Sequence, residues 1–278
     1  MNVPQKVGVL GGGRMGAGIA HSFLAAGAEV TVVDINDAAI AAAQERITND
    51  VEGSLKRGAE GTAEEWLGRL TVTTDAAAFA GLPLVVEAVP ESMDLKVASF
   101  RTIEENAPDA VIATNTSSLS VSDLAVTVRN DVIGLHFFNP VPASKLVEIV
   151  IADSTPAELV EQAKGWVEGL GKTPIVVKDA PGFASSRLGV AIALEAIRMV
   201  EEGVASPQDI DNAMVLGYKF PVGPLALTDI VGLDVRLGIA EYLESTLGER
   251  FAPPQLMRDM VERGELGRKS GQGFYNYS

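Results

Sequence analysis

The sequence contains no cysteine. Disulfides, thiolate zinc sites, iron–sulfur clusters and a cysteine nucleophile are therefore excluded, and the absence fits a reducing compartment. Histidine is almost as scarce, with His21 and His136 the only two in 278 residues. A multi-histidine metal centre is excluded and no metal is expected. Chemistry that needs an imidazole base has two candidates. Cations are outnumbered, 22 Lys and Arg against 37 Asp and Glu, for a net charge of −15. A duplex-binding protein wants a basic face, so nucleic acid is not an expected partner. Any anionic ligand must be held by local features against the overall field. No run approaches the roughly 18 apolar residues of a membrane span, and the first residues lack the basic-then-apolar layout of a signal peptide. A cytoplasmic protein is expected. What the chain does have is apolar material, 47 % of its residues, enough to bury a core. At about 150 residues per domain, its length suits one large domain or two smaller ones.

Short valine-rich runs bounded by glycine or charge read as buried strands at 6–11 and 29–34, with a helix opening at the glycines between them. Asp37 to Arg57 reads as a long helix stopped by Gly58, and Thr62 with Glu65 as a capping box before a shorter one. Further strands are expected at 70–75, 84–89, 110–115, 131–136, 146–151 and 174–179. Alternating strands and helices predict an α/β fold: a Rossmann-type, mostly parallel sheet covered on both faces. Two later connections look too short for a helix, which predicts antiparallel pairs at the end of the sheet. After Pro181-Gly182 only helices are expected, over 184–202, after Ser206-Pro207, and near 224–231, 235–247 and 254–263. The expected organisation is an α/β domain over 1–183 and an all-helical domain over 184–278. The segment Leu188 to Val200 is apolar almost all round, a surface that a second subunit could cover.

Gly11, Gly13 and Gly16 fit G-x-G-x-x-G. The first permits a tight turn, the second close approach of backbone to a pyrophosphate, the third packing of helix on sheet. The helix N-terminus adds unpaired N–H groups and positive dipole. Asp34 ends the second strand, 18 residues after Gly16. An acid there accepts hydrogen bonds from a ribose diol and repels a 2′-phosphate, which favours NAD over NADP. His21 lies on the first helix, which runs away from the ligand crevice, and reads as a packing or helix-surface residue.

His136 ends the strand VIGLH, where ligands of open α/β sheets sit. Glu148 lies in the next strand, which is otherwise apolar, and an acid is costly to bury there unless paired. A Pro-x-Pro turn separates the two and can bring them together. A carboxylate on one imidazole nitrogen fixes the tautomer and stabilises the imidazolium. Ser117 follows strand 110–115, so its hydroxyl could reach a substrate oxygen. A strand-end histidine, a rim glutamate and a turn serine explain the same residues without chemistry.

The runs VGVLGGGRMGAGIAH, LVVEAVPE, TNTSSL, GLHFFNPVPASKLVEIV, KDAPGF, EEGVASPQDIDNAM, GPLALTDIVGLD and GRKSGQGFYNY resemble the bacterial 3-hydroxyacyl-CoA (3-hydroxybutyryl-CoA) dehydrogenases from end to end. The resemblance implies reversible NAD-dependent oxidation of an (S)-3-hydroxyacyl-CoA, short-chain substrates such as 3-hydroxybutyryl-CoA, and a homodimer formed through the helical domain. It implies that His136 is the catalytic base, Glu148 its orienting carboxylate, and Ser117 the hydroxyl on the reacting oxygen. Glu91, Lys96, Asn139 and Lys269 are implied to contact NAD; residue chemistry alone reads Glu91 and Lys96 as surface residues and Lys269 as a tail charge. Ser54 and Lys56, with Arg57 beside them, fall where the family holds CoA. One position departs: the family usually has Asn after PGF and before Arg, where this chain has Ser186, a shorter side chain with one donor. Two other readings remain: the same chemistry on a free 3-hydroxy acid or a sugar acid of the L-gulonate type, and an NAD-binding structural or regulatory protein without catalysis.

Overall fold

The computed structural model describes residues 3–277. Among them eight strands form one sheet: β1 (Lys6–Leu10), β2 (Glu29–Val33), β3 (Leu70–Thr73), β4 (Leu84–Glu87), β5 (Val111–Thr114), β6 (Val132–Phe137), β7 (Leu146–Ile151) and β8 (Thr173–Lys178). Their order is β3-β2-β1-β4-β5-β6-β7-β8, so the first six follow the dinucleotide-binding order with its switch point between β1 and β4. Val7, Val9, Val32, Val85 and Val86 have no exposed surface, as expected for a parallel sheet covered on both faces. The covering helices are α1 (Arg14–Ala25), α2 (Asp37–Lys56), α3 (Ala63–Leu67), α4 (Met93–Asn106), α5 (Val121–Ala125) and α6 (Ala157–Gly169).

Local signals hold where they were read. Gly58 follows α2 with φ +94°. The Thr62 hydroxyl accepts from the Glu65 N–H at 3.2 Å, and the Thr62 N–H donates to the Glu65 carboxylate at 2.8 Å. The far side of the sheet differs from expectation. Only β6 and β7 are antiparallel; β5–β6 and β7–β8 are parallel. The connection from β5 to β6 has turn-like composition but carries α5, capped by the Ser120 hydroxyl. That short helix lets the chain cross over. Residues 138–145, between β6 and β7, hold no helix and can only reverse the chain.

The described chain divides into two compact units between Ala180 and Pro181. The second contains α7 (Ser185–Glu201), α8 (Pro207–Asn212), α9 (Pro224–Val231), α10 (Leu233–Leu247) and α11 (Gln255–Glu262). Val190, Leu194 and Ile197 of α7 pack with Leu225, Leu243 and Met257 in this unit's own core. Leu188 and Ile192 of the same helix remain 63 % and 36 % exposed. Two buried aspartates tie down the glycine- and tyrosine-rich last run. Asp229 accepts the N–H groups of Phe274 and Tyr275 at 3.0 Å each. Asp211 accepts the Tyr275 hydroxyl at 2.8 Å. No helix among the described residues is long and apolar enough to cross a membrane.

Candidate active site

The glycine turn leaves β1 at Gly11, whose φ of +96° favours glycine. A Cβ on Gly16 would lie 1.8 Å from the Gly11 carbonyl oxygen, so only glycine lets α1 start this close to the strand. A Cβ on Gly13 would meet nothing within 4 Å, and no side chain caps α1 there. The first N–H groups of α1 are therefore left for an anion. Gly12, which the motif does not single out, donates its N–H to Asp34 at 2.7 Å, and the Ile35 N–H donates to the other carboxylate oxygen at 2.7 Å. Each oxygen keeps a second lone pair for a ribose hydroxyl.

These residues line a cleft of about 830 Å³ that includes Gly11, Gly13, Asp34, Glu91, Asn115 and Ser117. It lies beyond the carboxyl ends of β1, β2, β4 and β5, at the switch point. The close-packed glycines, the open position at Gly13 and the anchored Asp34 carboxylate together fit a dinucleotide with an unmodified ribose.

Behind one wall of the cleft lies a buried polar network. Lys96 is 1 % exposed, so the expectation of a surface lysine is corrected. Its ammonium donates to the two oxygens of Glu87 at 2.8 and 3.0 Å and to the Val89 carbonyl at 3.3 Å. It lies 3.5 Å from Glu91. Glu87, itself fully buried, also accepts the Thr114 hydroxyl at 2.6 Å and the Val89 N–H at 2.7 Å. Glu91 accepts the Thr116 hydroxyl at 2.7 Å and the N–H groups of Ser117 and Ser118 at 2.9 Å each. Burial would raise the Glu91 carboxyl, but Lys96 and these donors outweigh it and hold the group below the usual carboxylate range. Glu91 thus sets the backbone of the loop that carries Ser117. Glu87 escaped the sequence reading; its signal was an acid closing the buried run LVVE nine residues before a lysine.

His136 lies directly opposite Glu148 in the β6–β7 register. Side chains of such a pair share one face of the sheet. His136 Nδ1 is 2.7 Å from Glu148 Oε2, with the histidine 5 % and the glutamate 0 % exposed. The Phe138 ring stacks at a tilt on the imidazole, 4.6 Å between centroids. Asn115, in the cleft wall at the end of β5, accepts the N–H of Phe137 at 2.9 Å. The backbone beside His136 is therefore fastened to the cleft. Lys172, also missed in the sequence, donates to the Val141 and Ser144 carbonyls at 2.7 and 2.6 Å. It closes the loop between the two strands, and burial pushes its ammonium below the usual lysine range. Asn139 is exposed on that loop, ahead of a cis peptide bond to Pro140.

The remaining candidates stand apart from this cluster or belong to the second unit. Ser54 is held by His21, its Oγ 2.9 Å from His21 Nε2, and accepts from Arg57 at 3.1 Å. Lys56 is exposed and lies 3.7 Å from Glu52. In the second unit Ser186 is half-buried in the first turn of α7, and Lys269 pairs with Asp234 at 2.5 Å.

His21 is 4 % exposed. Burial first, then Arg57 and Lys172, push its pKa down to about 4. Between that value and the ordinary 6.5 the unfolded chain binds a proton that the folded chain refuses, so stability falls as pH drops through this window. The loss is on the order of 2–3 kcal/mol. His21→Gln is expected to remove that part of the acid destabilisation. Thermal melts of both proteins at pH 7 and pH 4.5 check it, and equal acid sensitivity would contradict it.

Comparison with known proteins decides the family. Residues 6–180 match the description "3-hydroxyacyl-CoA dehydrogenase, NAD binding domain", and residues 182–277 match "3-hydroxyacyl-CoA dehydrogenase, C-terminal domain". The chain belongs to the 3-hydroxyacyl-CoA dehydrogenase family. It is 42 % identical over 283 residues to a 3-hydroxybutyryl-CoA dehydrogenase of Mycobacterium tuberculosis, covering 98 % of each chain. It is 39 % identical over 286 residues to the mitochondrial hydroxyacyl-coenzyme A dehydrogenase of Rattus norvegicus, covering 98 % of this chain and 91 % of that one. The solved (S)-3-hydroxybutyryl-CoA dehydrogenase PaaH1 of Ralstonia eutropha superposes with a TM-score of 0.94 at 38 % identity, covering 99 % of both chains. As a member of this family the protein is an NAD-dependent oxidoreductase. The glycine turn and Asp34 belong to its NAD-binding domain.

Proposed function

We propose that the protein oxidises (S)-3-hydroxybutyryl-CoA and similar short-chain (S)-3-hydroxyacyl-CoA esters to 3-oxoacyl-CoA, reversibly. The observation that carries this reading is the buried 2.7 Å pair of His136 and Glu148, one residue from a backbone contact with the NAD cleft. NAD, when bound, supplies the hydride acceptor. Glu148 holds Nδ1, so proton transfer falls to Nε2 of His136. That nitrogen takes the proton of the 3-hydroxyl, and Glu148 stabilises the imidazolium that results. In the reverse direction the imidazolium returns the proton. Ser117, placed by Glu91, donates to the reacting oxygen. Gly11, Gly13, Gly16, Asp34, Glu91, Asn139 and Lys269 are assigned to NAD, with Lys96 acting through Glu91. Ser186 is assigned to the substrate, with Ser54 and Lys56 assigned to its CoA part.

The protein is proposed to work in the cytoplasm, in keeping with a chain without cysteine. It is proposed to form a homodimer through residues 184–278, the helical part, where the exposed apolar side chains of Leu188 and Ile192 support self-association. No observation favours a free 3-hydroxy acid or a sugar acid as substrate.

The test is NADH formation from 3-hydroxybutyryl-CoA, free 3-hydroxybutyrate and L-gulonate, each with NAD and with NADP. The thioester with NAD is expected to exceed the free acids in kcat/KM by on the order of 10²-fold or more, because binding energy from the CoA moiety is spent on the reacting centre. Gulonate turnover equal to that of the thioester would overturn the reading.

A further inference from the structure

His21 and Ser54 meet where α1 packs on α2. The imidazole is 4 % exposed, and its Nε2 lies 2.9 Å from the Ser54 Oγ. The Trp66 ring of α3 lies tilted against it, 5.9 Å between centroids. Among the described residues nothing engages the enclosed Nδ1. With its pKa pushed down to about 4 the ring is neutral at pH 7, so it carries one hydrogen. The partners decide which nitrogen holds it. A hydrogen on Nδ1 would be a buried donor without an acceptor; orphaned buried N–H groups are rare, under-used acceptors less so. A hydrogen on Nε2 has the Ser54 oxygen to donate to.

That tautomer fixes what Ser54 does. Its Oγ accepts from His21 Nε2 and, at 3.1 Å, from Arg57. A hydroxyl has two lone pairs and one hydrogen. Both lone pairs are used, and among the described residues no acceptor takes the hydrogen. A helical serine often spends that hydrogen on the carbonyl four residues back; Ser54 does not. Ser54 is half-buried and Arg57 exposed. His21 occupies the buried side of the hydroxyl, so the hydrogen is left for the solvent side, beside the guanidinium. In the other tautomer Ser54 would give its hydrogen to the ring and show only a lone pair, which repels an anion.

The pair is also connected to the reacting end. Gly18 lies one turn before His21 on α1, and residues three apart on a helix are neighbours on its surface. A Cβ on Gly18 would lie 2.8 Å from Val141, so the loop that leaves His136 packs there. Lys172, which holds that loop's Val141 and Ser144 carbonyls, is one of the two cations that act on His21. A thioester whose hydroxyl is at His136 can run along this loop to Ser54. We propose that His21 is a positioning residue for the CoA part of the substrate: its Nε2–H holds the Ser54 oxygen, so that the serine hydrogen and Arg57 together face a phosphate oxygen of CoA. The inference rests on the assignment of Ser54 and Lys56 to CoA in the proposed function. In a protein of net charge −15, such paired donors are the local feature that holding an anion requires.

NMR of the ring nitrogens in the wild type reads the tautomer of His21, with His136→Gln to assign the only other imidazole. A hydrogen on Nε2 is expected; one on Nδ1 overturns the proposal, even if a His21 variant does not fold. Kinetics supply the second readout. KM and kcat are measured at saturating NAD for the 3-hydroxybutyryl thioesters of CoA, of 3′-dephospho-CoA and of N-acetylcysteamine, which has no phosphate. His21→Leu is expected to raise KM for the CoA thioester by about three- to tenfold, the scale of one hydrogen bond. Its kcat, and its KM for the phosphate-free thioester, should change little. Ser54→Ala is expected to raise the KM for the CoA thioester by a similar factor, and the double variant no further, because both act through one contact. His21→Gln, whose amide can donate to Ser54, should restore most of the wild-type KM. If the 3′-dephospho thioester escapes the effect, the phosphate read is the 3′ one; if it shares the effect, the diphosphate; either supports the proposal. A KM rise shared by the phosphate-free thioester shows a packing role and overturns it. So does an unchanged KM in His21→Leu, or a His21→Gln no better than His21→Leu. The readings are separable. If Ser54→Ala acts and His21→Leu does not, only the role of His21 is lost. If Ser54→Ala leaves the KM for the CoA thioester unchanged, the assignment of Ser54 to CoA fails as well. The proposed oxidation itself fails only if the wild type oxidises no thioester.

Discussion

His136→Ala is expected to lower kcat by about 10²–10⁴-fold, the usual contribution of a positioned acid–base. NAD affinity should stay within a few-fold of wild type, because none of the cofactor-cradling contacts passes through the imidazole. The glycine turn, the Gly12–Asp34 hydrogen bond and the Glu91 loop are all built from other residues. The alanine variant also removes the 2.7 Å imidazole partner of the fully buried Glu148 carboxylate, which costs stability. His136→Gln separates the two effects: the amide can still donate to Glu148, so folding is largely preserved while proton transfer is lost. Stopped-flow hydride transfer, NAD titration and a thermal melt on both variants make the comparison. Turnover near the wild-type rate in either would remove His136 from the chemistry.

Lys96→Met is expected to be the most destabilising of these substitutions. The ammonium is 1 % exposed and faces Glu87, which is 0 % exposed, with Glu91 beyond it. Removing one partner of a buried pair leaves an uncompensated charge and typically costs about 3–5 kcal/mol. For a unit of this size each kcal/mol moves Tm by roughly 2–4 °C, so the melting temperature should fall by on the order of 6–20 °C. The effect should also reach the site, because Glu91 loses the cation that holds its carboxyl low while it positions Ser117. Any folded variant should therefore show a raised KM for NAD together with a lower kcat. A Tm within about 2 °C of wild type would mean that the network relaxes without its lysine.

The two predictions fall on residues of different legibility. His136 and Glu148 could be paired on paper, since an acid in an otherwise apolar strand demands a partner and a short proline turn allows only a reversal. Lys96 could not. Along the chain it is one polar residue among others on α4, with nothing local to reveal that its side chain ends among carboxylates. The antiparallel end of the sheet shows the same division. The eight-residue reversal between β6 and β7 was readable from its length, whereas the crossover through α5 was obscured by turn-like composition.

What the sequence determined by itself is everything that depends on backbone conformation over a few residues. The glycine turn, the acid at the end of β2, the caps of α2 and α3 and the change to helices after Pro181 all follow from local geometry and periodicity. So does the pairing of His136 with Glu148, through register. What only the tertiary structure decided is where ionisable groups are buried: Lys96 between Glu87 and Glu91, Lys172 on two loop carbonyls, His21 against Ser54, and Arg236 on α10. The physical reason is that the cost of burying a charge depends on groups far away in sequence. No propensity, spacing or hydropathy along the chain reports which of those groups will arrive.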